Sequence, residues 1–212
     1  MAFQYYHDHF DLRGEPLVLT VPGLNNSGPQ HWQTRWETQR GDCRRVDLGD
    51  WSRPWRGDWV HKLDLAIQYA DRPVVLAAHS LGCLAVAWWA AHAHRDDAAL
   101  VRGALLVAPP DVDFFPLDER LETFSPTPSQ TLPFPSVLVA SQNDPWMGIH
   151  ASRRLAKIWG SRFVDAGRAG HINADSTLGD WPEGQALLDG LIVGAQRPAG
   201  AMHGIRRTIP AL

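Results

Sequence analysis

The sequence predicts an α/β fold, a mostly parallel central sheet of about six strands with helices on both faces. Apolar runs alternate with amphipathic stretches of helical period along most of the chain, the pattern of strands joined by helical crossovers. The strand runs are continuously apolar rather than alternating, as required when both faces of a sheet are covered. With 212 residues, 44% hydrophobic and 20% charged, the chain is long and apolar enough to bury such a sheet.

The elements follow in order. Leu17–Val21 is a short apolar run closed by Pro22 and Gly23, a strand and its turn. Residues 29–39 place Trp32, Trp36 and Gln39 at helical spacing. Residues 44–48 form a second strand, with Cys43 at its start, and 49–57 a loop rich in Trp and Pro. Over 58–70, Val60, Leu63, Ala66 and Ile67 share one helical stripe. A third strand over 73–78 is followed at once by a helix from 81 to about 94, and residues 101–107 make a fourth strand. Prolines at 116, 126, 128, 133 and 135 make 111–135 mostly loop. A fifth strand over 136–140, a helix over 148–159, a sixth strand over 162–165 and a helix over 182–193 complete the pattern. We expect a single domain over 1–195 and a flexible tail over 196–212, which carries Pro198, Gly200, Gly204 and Pro210 but no strong pattern.

Composition narrows the function. The net charge is -3, the pI is about 6.3 and the arginines are scattered, which argues against a nucleic-acid partner. Two cysteines cannot build a disulfide framework, and residues 1–10 lack the apolar run of a secretory leader. No stretch approaches the roughly 20 apolar residues of a membrane span. These features predict a cytoplasmic protein with reduced thiols and no membrane partner; they carry no signal for an oligomeric state. Ten tryptophans are many for this length; they serve core packing, and some are candidates to line an apolar acyl pocket.

The chemistry centres on Ala78-His79-Ser80-Leu81-Gly82. It is a variant of the G-x-S-x-G elbow, with Ala in the first position, between an apolar strand and an Ala-rich helix. Small residues are needed because the backbone reverses sharply there and leaves the serine exposed above the sheet. The bland alternative is a serine that merely caps the helix. The first N–H groups of that helix have no internal partners, so the Leu81 N–H is available to an oxyanion beside Ser80. The loop after the first strand supplies a second donor, the Leu24 N–H, with Gly23 allowing close approach; a plain turn is the other reading of that loop.

Serine needs a neighbouring base. His171 follows the last strand in a glycine-flanked loop at the same sheet edge as Ser80, while His61, His92, His94 and His150 fall in helices or at a far helix end. Asp144 follows the fifth strand directly and completes the chain order Ser, Asp, His, with Asp111, Asp113 and Asp165 as weaker competitors. Asn25, His31, His79 and Trp146 are pocket candidates. No ligand cluster has metal spacing and no glycine motif fits a phosphate, so neither metal nor cofactor is expected.

Four stretches together resemble the small serine hydrolases of the YdeN type, whose relatives include retinoblastoma-binding protein nine. They are Val21-Pro22-Gly23, the His79-Ser80-Leu81-Gly82 elbow, Asn143-Asp144-Pro145 and the string from Gly170 to Ser176, Gly-His-Ile-Asn-Ala-Asp-Ser. The Trp-rich stretch Asp50 to Pro54 and Asp58-Trp59-Val60 look similar as well, and the likeness runs from about Leu17 to Leu191. The resemblance implies an α/β-hydrolase fold with a minimal cap and the triad Ser80, Asp144 and His171. Ala78 departs from the usual glycine. The expected reaction is hydrolysis of a small acyl ester through an acyl-enzyme. A binding module on a hydrolase fold, and an acyltransferase or thioesterase using the same triad, stay open as alternatives.

Overall fold

The computed structural model describes residues 14–114 and 118–195. The expected flexible tail over 196–212 lies outside the described residues. Six strands form one sheet: β1 (Leu17–Val21), β2 (Cys43–Arg45), β3 (Val74–His79), β4 (Val101–Val107), β5 (Ser136–Ala140) and β6 (Arg162–Asp165). Every pairing is parallel and the spatial order is β2-β1-β3-β4-β5-β6. Among the described residues six α-helices connect and flank them: α1 (Trp32–Gln39), α2 (Arg56–Gln68), α3 (Leu81–His92), α4 (Arg95–Leu100), α5 (Ile149–Trp159) and α6 (Pro182–Ala195).

Strand side chains point alternately to the two faces, and both faces are apolar. Leu19, Val21, Leu76, Leu106 and Leu138 pack on one face with Leu63 of α2, Leu84 and Trp89 of α3 and Trp159 of α5. Val18, Val75, Ala77, Leu105 and Val139 pack on the other with Trp32 and Trp36 of α1 and Leu188 of α6. Burial on both sides is why β1, β3, β4 and β5 read as largely apolar runs.

The topology also creates the crevice. From β1 the chain crosses through α1 to β2 at one edge, then returns through α2 to β3 on the other side of β1. Ligands of open α/β sheets bind where the order reverses, beyond the carboxyl ends of the strands. Here that point lies between the loop after β1 and the turn after β3.

Local differences from the sequence reading have physical causes. The strand expected over 44–48 is β2, Cys43–Arg45. Val46 donates one last bond to the Thr20 carbonyl at 3.0 Å, after which the chain leaves the ladder and buries Val46 and Leu48 in the core. The helix expected from 29 begins at Trp32, because His31 Nδ1 accepts the Gln33 N–H as its cap. The helix expected to run to about 94 ends at His92; a separate short helix, α4, follows with Asp96 and Asp97 in its first turn, where carboxylates suit the helix dipole. Within 111–135, a 3-10 segment over Glu119–Phe124 is tied down by Trp88 Nε1, which donates to the Phe124 carbonyl at 2.8 Å.

Candidate active site

Ser80 sits between β3 and α3 with φ 53 and ψ -126, a conformation costly for any residue with a side chain. Its hydroxyl makes no capping bond to α3, so the helix-cap alternative does not hold. The Ser80 Oγ–H instead donates to His171 Nε2 at 2.9 Å. His171 Nδ1–H donates to Asp144, 2.9 Å from one carboxylate oxygen and 3.0 Å from the other. These partners, a hydroxyl on one side and a carboxylate on the other, place the ring proton on Nδ1 and the lone pair on Nε2. Both side chains are sheltered, His171 at 11% exposure and Asp144 at 3%.

The competing acids are engaged elsewhere. Asp111 caps its own turn, Asp113 accepts from Ser125 and Thr127, and Asp165 accepts from Gln142 and Gly167. Asp144 is held from its own loop, where its carboxylate also accepts the Trp146 N–H at 2.9 Å. The Asp144 and His171 loops are laced together. Asn143 Oδ1 accepts the Gly170 N–H at 2.9 Å, Ser141 Oγ accepts the Ala169 N–H at 2.9 Å, and the Gln142 N–H donates to the Gly167 carbonyl at 2.7 Å.

Two glycines let the elbow and the β1 loop meet. A Cβ on Gly82 would lie 2.2 Å from the Val21 carbonyl oxygen, so α3 can start under β1 only with glycine there. A Cβ on Gly23 would lie 2.8 Å from Ser80 Cβ and 3.1 Å from the Leu81 nitrogen. The loop that carries the Leu24 N–H is therefore pressed against Ser80 and the start of α3. Neither the Leu24 nor the Leu81 N–H donates to another group among the described residues.

A cleft of about 250 Å³ opens over Ser80 and His171. All four pocket candidates, Asn25, His31, His79 and Trp146, line it. Leu121, Asn26, Asn173 and Ala174 line it too and were not singled out from the sequence. Asn173 and Ala174 belong to the string that carried the family resemblance, which was the available signal. Leu121 comes from the proline-rich segment, where no local pattern marks an inward residue. Of the ten tryptophans, Trp146 alone lines this cleft; Trp32, Trp36, Trp59, Trp89, Trp159 and Trp181 are buried in packing. A second, larger cleft of about 490 Å³ shares Trp146, His171 and Asn173 with the first and is lined also by Asn143, Arg168 and Asp175.

Two histidines beside the site are uncharged. Burial, then Arg45 and His171, bring His31 down to about 3. Burial, then His31 and His171, hold His79 well below the usual imidazole value. Cys43 and Cys83 are free thiols, and burial pushes Cys43 up to about 12 and Cys83 up as well, so neither offers a thiolate. Among the described residues, no three His, Cys, Asp or Glu side chains are grouped to hold a metal ion, and no helix is long and apolar enough to cross a membrane.

Comparison with known proteins agrees with this architecture. Residues 18–190 match the family model described as serine hydrolase. None of the curated proteins matches the chain. A YdeN-like hydrolase from Pectobacterium atrosepticum is 30% identical, with 86% of this chain and 91% of that one covered and a TM-score of 0.72. The ydeN gene product of B. subtilis, at 17% identity, covers 84% of this chain and 99% of its own, with a TM-score of 0.64. Esterase 2 of Thermogutta terrifontis, at 16% identity, gives 86%, 84% and 0.62. The last two are likenesses of fold. The match over residues 18–190, with the 30% identical relative behind it, makes this chain a member of the serine hydrolase family with the α/β-hydrolase fold.

Proposed function

We propose that the protein hydrolyses a small acyl ester, with Ser80 as nucleophile, His171 as general base and then general acid, and Asp144 as the group that orients and stabilises the imidazolium. The observation that carries this reading is the unbroken hydrogen-bond chain from Ser80 Oγ through the His171 ring to Asp144. His171 Nε2 takes the Ser80 proton as Oγ attacks the ester carbonyl carbon, and the carbonyl oxygen becomes an oxyanion. The Leu24 and Leu81 N–H groups receive that charge; one such donor typically contributes ~100- to 1000-fold in rate. Collapse of the tetrahedral species releases the alcohol, which takes the proton back from His171. Water, deprotonated by the same nitrogen, then cleaves the acyl-enzyme to the free acid and restores Ser80.

The small size of the acyl group is supported by the roughly 250 Å³ cleft, below the usual ~300–1,000 Å³ of ligand pockets, and by Leu121 reaching into it from a tied-down segment. Two buried free thiols and a net charge of -3 fit a cytoplasmic enzyme acting on a small molecule rather than on nucleic acid.

The test is labelling with a fluorophosphonate probe, the adduct being located by mass spectrometry. Adduct on Ser80, absent in Ser80→Ala and in His171→Ala, is the expected result. Folded protein that takes no label would remove the triad reading and favour a binding module. A panel of p-nitrophenyl esters then tests the acyl size: turnover should fall as the acyl chain lengthens, and a preference for long chains would refute the small-acyl reading.

A further inference from the structure

The residue before the nucleophile takes part in the geometry as well. His79 Nε2 lies 2.9 Å from the backbone carbonyl oxygen of His171. A carbonyl only accepts, so the proton sits on Nε2 and His79 is the donor. The two imidazole rings lie 5.0 Å apart, and His31 closes the other side of His79 with its ring 4.6 Å away. His79 is also the last residue of β3, in register with Val107 of β4, and it is buried.

These contacts close a ring of structure. Ser80 is bonded covalently to His79, His79 holds the backbone of His171, and the His171 side chain returns to Ser80 Oγ. From Ala166 to Asn173 the His171 loop has no helix or strand to hold it, and three of its residues, Gly167, Gly170 and Ile172, have positive φ. Its position relative to the elbow is set by side-chain bonds, and the His79 bond is the one that comes from the strand bearing the nucleophile.

We propose that His79 is a positioning residue for the reaction, holding the His171 backbone so that Nε2 stays within hydrogen-bond reach of Ser80. The inference rests on the triad reading above. Its chemistry suits the task. A ring nitrogen reaches the carbonyl from a rigid strand end, and an uncharged donor does not oppose the imidazolium that forms on His171 next to it. A cationic side chain in its place would make the same hydrogen bond but raise the barrier to that charge.

The test compares His79→Gln, His79→Asn and His79→Leu in the full chain, with p-nitrophenyl acetate as substrate. The Gln amide nitrogen reaches about as far as Nε2, whereas the Asn amide is too short and Leu has no donor. His79→Asn and His79→Leu should lose roughly 10- to 100-fold in kcat with little change in KM, the scale of a small misplacement of reacting groups. His79→Gln should recover most of that loss. The downfield proton resonance of the His171–Asp144 bond should weaken in the Asn and Leu variants and return with Gln. If His79 only fills space, kcat and that resonance will not separate Gln from Asn, and the proposal falls, whether both variants are fully active or equally impaired. If His79→Leu does not fold, the Gln and Asn pair decides. Wild-type protein that takes no fluorophosphonate at Ser80 would remove the triad reading and this inference with it. Wild-type labelling at Ser80 together with unaffected variants would remove this inference alone.

Discussion

The indole Nε1–H of Trp32 donates to the backbone carbonyl of Ile172 at 2.9 Å, across 140 residues of chain. Ile172 follows His171 and adopts φ 50, a left-handed conformation that a β-branched side chain resists. Such strain costs about 1–3 kcal/mol and persists only where the surroundings over-determine it. Here the surroundings are the Trp32 bond and a cluster in which the Trp32 ring lies 4.5 Å from Trp36 and 5.2 Å from Trp181. Ile172 itself is fully buried.

Trp32→Phe keeps an aromatic ring in the cluster but removes this donor. It should lower the unfolding free energy by roughly 1–3 kcal/mol, the cost of an unmatched buried carbonyl, and reduce kcat as well. Trp36→Phe is the contrast, because its Nε1 bonds the carbonyl of Asp180, which lines neither cleft. It should lose comparable stability and keep its turnover. Urea unfolding and ester hydrolysis on both variants check this, and identical kcat values in the two would contradict it.

Asp144→Asn leaves the shape of the site intact but offers an amide that can impose the wrong ring tautomer. We expect a loss of about 10⁴ in kcat with the fold unchanged. Ser80→Ala combined with His171→Ala should be no slower than either alone, because in the proposed reaction the residues act as one unit. Steady-state rates on a short-chain ester decide both points; additive losses would mean that the two side chains do not work together.

The two glycines at the crevice should separate function from folding. Gly82→Ala puts a methyl 2.2 Å and 2.6 Å from the Val21 and Pro22 carbonyl oxygens, against backbone that cannot give way, so it should abolish stable folding. Gly23→Ala meets Ser80 Cβ at 2.8 Å at the mouth of the crevice, where the loop can shift outward. That shift moves the Leu24 N–H, and kcat should fall ~100- to 1000-fold, as for loss of one oxyanion donor. A folded, slow Gly23→Ala beside an insoluble Gly82→Ala is the expected pair of outcomes. A fully active Gly23→Ala would remove Leu24 from the oxyanion site.

Acid should destabilise the fold through the two uncharged histidines. In the unfolded chain His31 and His79 take up protons near pH 6.5, whereas folding lowers His31 to about 3 and His79 well below its usual value. Below pH 6.5 the unfolded state therefore binds more protons, and stability declines as the pH falls. By pH 5 the loss from His31 is about 2 kcal/mol, and His79 adds a loss of the same sign. Urea unfolding at several pH values between 8 and 5 should show this slope, and His31→Gln should make it shallower. Equal slopes in wild type and variant would refute the assignment.

Much of the molecule was legible in advance, for identifiable reasons. The limits of β1, β4 and β5 coincide with the expected strands because strands packed between helix layers show as apolar runs bounded by turn residues; those of the edge strand β6 coincide too, though only Phe163 and Val164 are apolar there. Ser80, Asp144 and His171 stood out as candidates because a sharp strand-to-helix turn demands small neighbours and because loops after parallel strands share one edge. The helix α4, the early end of β2 and the inward face of Leu121 were not legible. Each depends on what the segment packs against, not on its own pattern.

The sequence by itself determined the class of fold, the strands and the three candidate side chains, since these follow from periodicity, turn chemistry and chain order acting over a few residues. The strand order β2-β1-β3-β4-β5-β6, the bond from His79 to the His171 carbonyl and the bond from Trp32 to the Ile172 carbonyl were decided only by tertiary structure. Those bonds end on backbone carbonyls, which every residue carries alike. No residue type marks which carbonyl will come within reach of which donor until the sheet has brought distant loops together.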